Sequence, residues 1–135
     1  MLVKGVRYLL QSDGTKPIYV QIAEWLETEI LNGHLTKDDK VYSQYQLAEM
    51  FTINPATAAK GLTLLLDDEI VYKKRGLGMF VAEGAQKKIL SKRKSQTLVR
   101  MIDNLVREAK FLDVPHDELV RMIKAAESQR EDGDK

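Results

Sequence analysis

The sequence predicts an α+β fold, mainly helical: an N-terminal winged helix-turn-helix followed by a short C-terminal α-helical hairpin for dimerisation. Two short helical stretches, "SQYQLAEMF" and "NPATAAKGLTLLLDD", are separated only by Thr52 and Ile53, the spacing of a helix-turn-helix. Two β-prone runs then flank the glycine-bearing basic tip "KKRGLG". From about Gln86 onward the apolar pattern is purely helical and is broken once, at "FLDVPHDEL".

Each element has its own local signal. In "KPIYVQIAEWLETEILNG", Ile18, Ile22, Leu26 and Ile30 recur every fourth residue, and Asn32–Gly33 supplies a C-cap, so a first amphipathic helix is expected there, with Trp25 and Tyr19 beside its stripe as core residues. Upstream, "LQSDGTKP" reads as a loop and "MLVKGVRYLL" as a loose or short extended arm. Ser43 with Gln46 three residues later is a capping-box signature, and Leu47, Ala48, Met50 and Phe51 follow it. Asn54 is placed to cap the third helix and Pro55 to start it, with Ala58, Leu62, Leu65 and Leu66 available for burial. Gly61 in mid-helix costs about 1 kcal/mol against alanine, which implies close packing against another element. Ile70–Tyr72 and Met79–Val81 are the expected strands, with Gly76 and Gly78 permitting the dihedrals of the hairpin tip.

In the helical tail, Leu98, Met101, Leu105 and Leu112 share one face, and Val99, Ile102, Val106 and Ala109 widen it beyond a single stripe. Pro115 starts a further helix whose first turn carries Asp117 and Glu118, matched to the positive end of its dipole; Leu119, Met122, Ile123 and Ala126 form its apolar face. Two helices and a loop cannot close a core of their own, so a two-fold homodimer is expected to bury Leu98, Met101, Ile102, Leu105, Ala109, Leu112, Leu119, Met122 and Ile123. The expected division is 1–82 for the winged domain, with its core at 16–82, 83–131 for the tail, and 132–135 as a disordered acidic end.

Composition narrows the function classes. With no cysteine, the 135-residue chain has neither disulfides nor thiolate metal sites. Its apolar runs are too short for a membrane span and its N-terminus is too lightly basic for a secretory signal, so the cytoplasm is the expected location and no membrane partner is expected. His34 and His116 make no cluster with carboxylates at metal-ligand spacing, and there is no nucleophile constellation or phosphate loop. Neither enzyme nor cofactor is expected. Net charge is only +1, yet Lys87, Lys88, Lys92, Arg93, Lys94 and Arg100 lie in a stretch without acids; a solvated helix face is the reading adopted for them.

Residues 16–81, "PIYVQIAEWLETEILNGHL" and "SQYQLAEMFTINPATAAKGLTLLLDDEIVYKKRGLGMFV" above all, resemble the GntR family of bacterial transcription regulators. The form of the third helix and the short tail are similar to the small YtrA-type subgroup. That resemblance implies a dimeric repressor of its own or a transporter operon, without the large effector domain of longer relatives. There are departures: Tyr42 stands at a usual proline, Tyr45 at an arginine that contacts DNA in relatives, Pro55 and Ala59 at positions often arginine, and Glu69 at a usual glycine.

The partner implied is double-stranded DNA with a palindromic operator. On the third helix, Ala56 can meet a thymine methyl, and Thr57 and Lys60 can reach base edges or phosphates, while Asn54 serves chiefly as the cap. Ser43 and Tyr45 begin the preceding helix; Tyr45 either hydrogen-bonds a phosphate or simply packs. Lys73, Lys74 and Arg75, with Gly76 and Gly78, offer the wing to phosphates or the minor groove. A helix without arginine makes few bidentate base contacts, so shape, phosphates and dimerisation must carry more of the specificity. A winged-helix protein-binding module without specific DNA binding is the alternative. A small-molecule effector between wing domain and tail is a further expectation.

Overall fold

The structure, a computed structural model, describes residues 16–133; the expected N-terminal arm and most of the loop after it lie outside the described residues. In chain order the elements are α1 (Ile18–Leu31), α2 (Gln44–Phe51), α3 (Pro55–Asp67), β1 (Val71–Lys74), β2 (Gly78–Val81), α4 (Ala85–Lys92), a π-helical segment Arg93–Leu98, α5 (Val99–Phe111) and α6 (His116–Gly133). The chain divides into two compact units between Ser91 and Lys92.

In the first unit the helices form where their local signals lie. Ile22, Leu26 and Ile30 of α1 are buried, and α1 ends at Asn32 with Gly33 at φ +79°. The Ser43 hydroxyl accepts from the Gln46 amide (3.1 Å) and the Gln46 side chain accepts from the Ser43 amide (2.8 Å), completing the capping box of α2. Asn54 Oδ1 accepts from the Ala56 amide (2.7 Å) and Pro55 opens α3. Leu47 and Phe51 of α2 and Ala58, Leu62 and Leu65 of α3 join the α1 stripe in one core, whereas Leu66 is half-buried at its margin. Trp25 packs edge-on to Phe51, ring centroids 5.0 Å apart. Tyr19 departs from the expectation of a core residue: it is half-buried, and the Lys60 ammonium lies 4.7 Å from its ring centroid.

Gly61 is buried where α3 crosses α1. A Cβ there would stand 2.8 Å from the Tyr19 carbonyl oxygen and 3.3 Å from Cβ and Cγ2 of Ile22, so only glycine permits this approach. The end of α3 closes as a Schellman motif: the Ile70 amide donates to Leu65 and the Glu69 amide to Leu66. Glu69 adopts φ +59° there, which explains why a glycine is usual at this position in the family the sequence resembles.

β1 and β2 pair antiparallel, Val71 with Val81 and Tyr72 with Phe80, and extend further into the tip than the sequence runs suggested. Residues 38–41 add a third edge: the Asp38 amide donates to Val81, that of Val81 to Asp39 and that of Val41 to Met79, with Lys40 bridged to Phe80. Val71, Val81 and Met79 face the core. Ala85 and Ile89 of α4 are also buried in that core, so the first unit extends past the 82/83 boundary expected from the sequence.

In the second unit the break at Leu112–Pro115 and the helix beyond it are as read from the sequence, and Asp117 and Glu118 occupy the first turn of α6. The π-helical segment has no signal in the apolar pattern. Helix α6 runs to Gly133, so the expected disordered end at 132–135 is corrected for its first two positions; the last two lie outside the described residues. Leu98, Met101, Ile102, Leu105, Leu112, Met122 and Ile123 are exposed, as is Phe111 at 82%. Leu119 is half-buried, and Ala109, expected at a dimer face, is already buried within the chain.

Candidate nucleic-acid interface

The helix-turn-helix is set by a left-handed turn and two caps. Thr52 ends α2 at φ +54°, the Ile53 amide donates to Ala48, and the chain re-enters a helix two residues later at Pro55. The first turn of α3 is thereby held by its own cap while its outer side stays open. Ala56 and Lys60 are exposed and Thr57 is half-buried. The Thr57 hydroxyl makes no hydrogen bond to any described residue, whereas Thr63 bonds back to the Ala59 carbonyl (3.0 Å). Thr57 is therefore available to a ligand in a way Thr63 is not.

The Asn54 Oδ1 is occupied by capping, in keeping with its expected main role. Ser43 is likewise occupied by its capping box, so its hydroxyl is a structural acceptor first. Tyr45 does not pack: it is 70% exposed on the first turn of α2.

On the wing, Lys73, Lys74 and Arg75 are exposed. Lys74 is not a free tip cation, because its ammonium lies 4.9 Å from the Phe80 ring centroid and 5.8 Å from that of Tyr72. Those rings stack at 5.8 Å and 26°. The Tyr72 hydroxyl donates to Asp38 Oδ1 (2.7 Å), and this bond to a carboxylate raises the phenol above its ordinary pKa. Gly76 turns the tip at φ +79° with open space around its Cα; Gly78, at φ +113°, lies under the Lys40 side chain. Lys40 carried no motif signal, since its position follows from the non-local pairing of residues 38–41 with β2.

Further along, Lys88 donates to the Glu69 carbonyl (2.8 Å), so one lysine of the basic run braces the left-handed turn after α3. An open, mainly apolar cavity of about 380 Å³ in the first unit is lined by Ile30, Leu35, Val81, Ala85, Gln86 and Lys87 among others. Among the described residues no group of His, Asp and Glu could hold a metal ion, and no helix is long and apolar enough to cross a membrane.

No protein-family model matches the chain. It is 39% identical over 67 residues to the Bacillus subtilis HTH-type transcriptional repressor NagR, half of this chain but only 28% of NagR. Over 119 residues it is 29% identical to the B. subtilis HTH-type transcriptional repressor YtrA, covering 88% of this chain and 91% of YtrA. A Bacteroides thetaiotaomicron crystal structure assigned to the GntR family of transcriptional regulators superposes with a TM-score of 0.70 at 30% identity, over 84% of this chain and 99% of that one. A winged helix-turn-helix, a short helical tail and near end-to-end correspondence with these small proteins lead to one conclusion: the chain belongs to the GntR family of transcriptional regulators and matches its small YtrA-type subgroup.

Proposed function

We propose that this chain is a homodimeric, sequence-specific DNA-binding regulator that represses its own or a transporter operon. The observation that carries the reading is the open first turn of α3, where Ala56, Thr57 and Lys60 stand beyond a completed cap on a unit that also presents the Lys73–Arg75 wing. A capped helix start combines the unbonded Thr57 hydroxyl and the exposed Lys60, whose ammonium lies over the Tyr19 ring, with the positive end of the dipole, the combination that docks in a major groove. The wing supplies cations for phosphates or the minor groove, and Tyr45 supplies a hydroxyl from α2.

The exposed apolar residues of the second unit support dimerisation. Leu98, Met101, Ile102, Leu105, Leu112, Met122 and Ile123 leave a large unpartnered surface on a small helical unit, and a second copy of the same unit would cover it. Two copies place two α3 helices on the halves of a palindromic operator, multiplying modest readout per base pair. The repressor role follows the names of NagR and YtrA. The small-molecule effector expected between wing domain and tail has instead a candidate seat within the first unit, in the cavity lined by Ile30, Leu35, Val81 and Ala85. No catalytic role is proposed.

Sedimentation of the full chain with and without operator duplex tests the assembly. A dimer at micromolar concentration, bound as one dimer per palindrome, supports the proposal. A monomer under both conditions refutes it.

A further inference from the structure

Among the cations on the wing sheet, Lys40 has no role in the reading above, yet its surroundings are built. It bridges Phe80, which pairs in turn with Tyr72, so the three residues form one row across the sheet. Directly paired residues of antiparallel strands project to the same face, and Lys74, two residues beyond Tyr72, shares that face opposite Gly78. The core-facing residues Val71, Met79 and Val81 alternate with these, so the row looks away from the core.

Two features fix the cations there. The Lys74 ammonium rests against both aromatic rings. The Lys40 side chain crosses Gly78, where a Cβ would be 3.1 Å from Lys40 Cε and 3.9 Å from its Nζ; the missing side chain makes room for it. Lys40 is exposed, and no carboxylate among the described residues pairs with it. The Tyr72 hydroxyl instead holds Asp38, which fixes the edge segment from which Lys40 projects.

We infer that Lys40 is a further DNA-backbone contact of the wing, acting with Lys74 on phosphates of one strand. Two exposed ammonium groups on one face of the wing sheet, one held over Gly78 and one on the Phe80 ring, match the anionic phosphates repeated along one strand. The inference rests on the DNA-binding reading. Phe80 and Tyr72 are positioning residues in this arrangement: they place Lys74 and do not read bases.

The test is the salt dependence of binding to duplex DNA, measured by fluorescence anisotropy with full-length Lys40→Ala, Lys40→Gln and Phe80→Leu chains whose Trp25 fluorescence matches the parent. Removing one phosphate-binding cation lowers the log–log salt slope by about 0.9, with affinity near physiological salt falling on the order of three- to tenfold and equally for all sequences. Both Lys40 variants should show this change. Phe80→Leu should weaken binding in the same direction, and Phe80→Tyr, which retains the ring, should restore it. Parental slope and affinity in both Lys40 variants, with Lys73→Ala/Arg75→Ala reducing both, would overturn the inference and leave the DNA-binding reading standing. A parent chain with no salt-dependent binding at all would overturn both together.

Discussion

Replacing Gly61 with alanine should destabilise the first unit, although the same change in an exposed helix would stabilise it. In a helix interior, Gly→Ala is worth about 1 kcal/mol in favour of folding. Here the added Cβ would lie 2.8 Å from the Tyr19 carbonyl oxygen and 3.3 Å from Ile22 Cβ and Cγ2. The closest of these atoms is backbone, so no rotamer change relieves the contact and α1 must move away from α3. Overpacking of this kind costs typically about 1–3 kcal/mol. With the upper half of that range operating against a backbone atom, the net loss is about 1–2 kcal/mol after the propensity gain is subtracted. For a unit of this size each kcal/mol shifts the midpoint by about 4–8 °C, so a fall of roughly 5–15 °C is expected. The assay is thermal and urea unfolding followed by Trp25, the only tryptophan, which sits in this core against Phe51 and Tyr42. An unchanged or raised midpoint would refute the packing argument, because the contact would then have cost less than the propensity gained.

Five further variants have expected outcomes. Lys73→Ala/Lys74→Ala/Arg75→Ala should weaken DNA binding on every sequence and flatten its salt slope, whereas Thr57→Ala should relax discrimination at particular base pairs with little change in slope, both read by anisotropy over a set of operator variants. Leu105→Glu should place a charge on the apolar face of the tail and shift sedimentation from dimer to monomer while leaving the Trp25 unfolding midpoint in place. Glu69→Gly should leave the first unit as stable or up to about 1 kcal/mol more stable, since glycine meets the +59° φ without a Cβ penalty; a clear loss would show that the Glu69 side chain contributes more than its backbone strain costs. Hydrogen bonds from the Thr36 backbone and hydroxyl hold Asp39 below its ordinary pKa of 3.8. A lowered folded-state pKa gives stability that is full above 3.8 and lost as pH falls through the folded value, so Asp39→Ala should flatten the acid limb of an unfolding-versus-pH curve.

What the sequence disclosed about the fold was whatever is written locally. Ser43 with Gln46, Asn54 with Pro55, and the fourfold spacing of Ile22, Leu26 and Ile30 are all contained within one or two helical turns, and the structure repeats them closely. The mid-helix Gly61 signalled a close crossing before its partner was known, and Tyr19–Ile22 is that partner. What escaped was non-local or conformational. The pairing of residues 38–41 with β2 joins segments about forty residues apart, and with it Lys40 reaches the wing. Glutamate gives no cue to a left-handed backbone at position 69; only the family's usual glycine hinted at one. Tyr19 has an apolar ring at a helix-stripe margin, and the pattern alone does not tell a core aromatic from one lying under the Lys60 ammonium. Helix α4 lies wholly beyond the expected 82/83 boundary and reads as helical like the tail, and only the burial of Ala85 and Ile89 assigns it to the first unit's core.

The central claim is that α3 and the wing together recognise a particular duplex. The measurement is fluorescence anisotropy of the full-length chain against the duplex upstream of its own coding sequence and a scrambled duplex of the same composition, each at two salt concentrations. The account predicts tighter binding to the native duplex, with a preference that persists at the higher salt because base and shape readout remain when phosphate contacts are screened. Equal binding to both duplexes that disappears together at the higher salt would contradict recognition of that duplex, and no binding at either salt would contradict DNA binding itself.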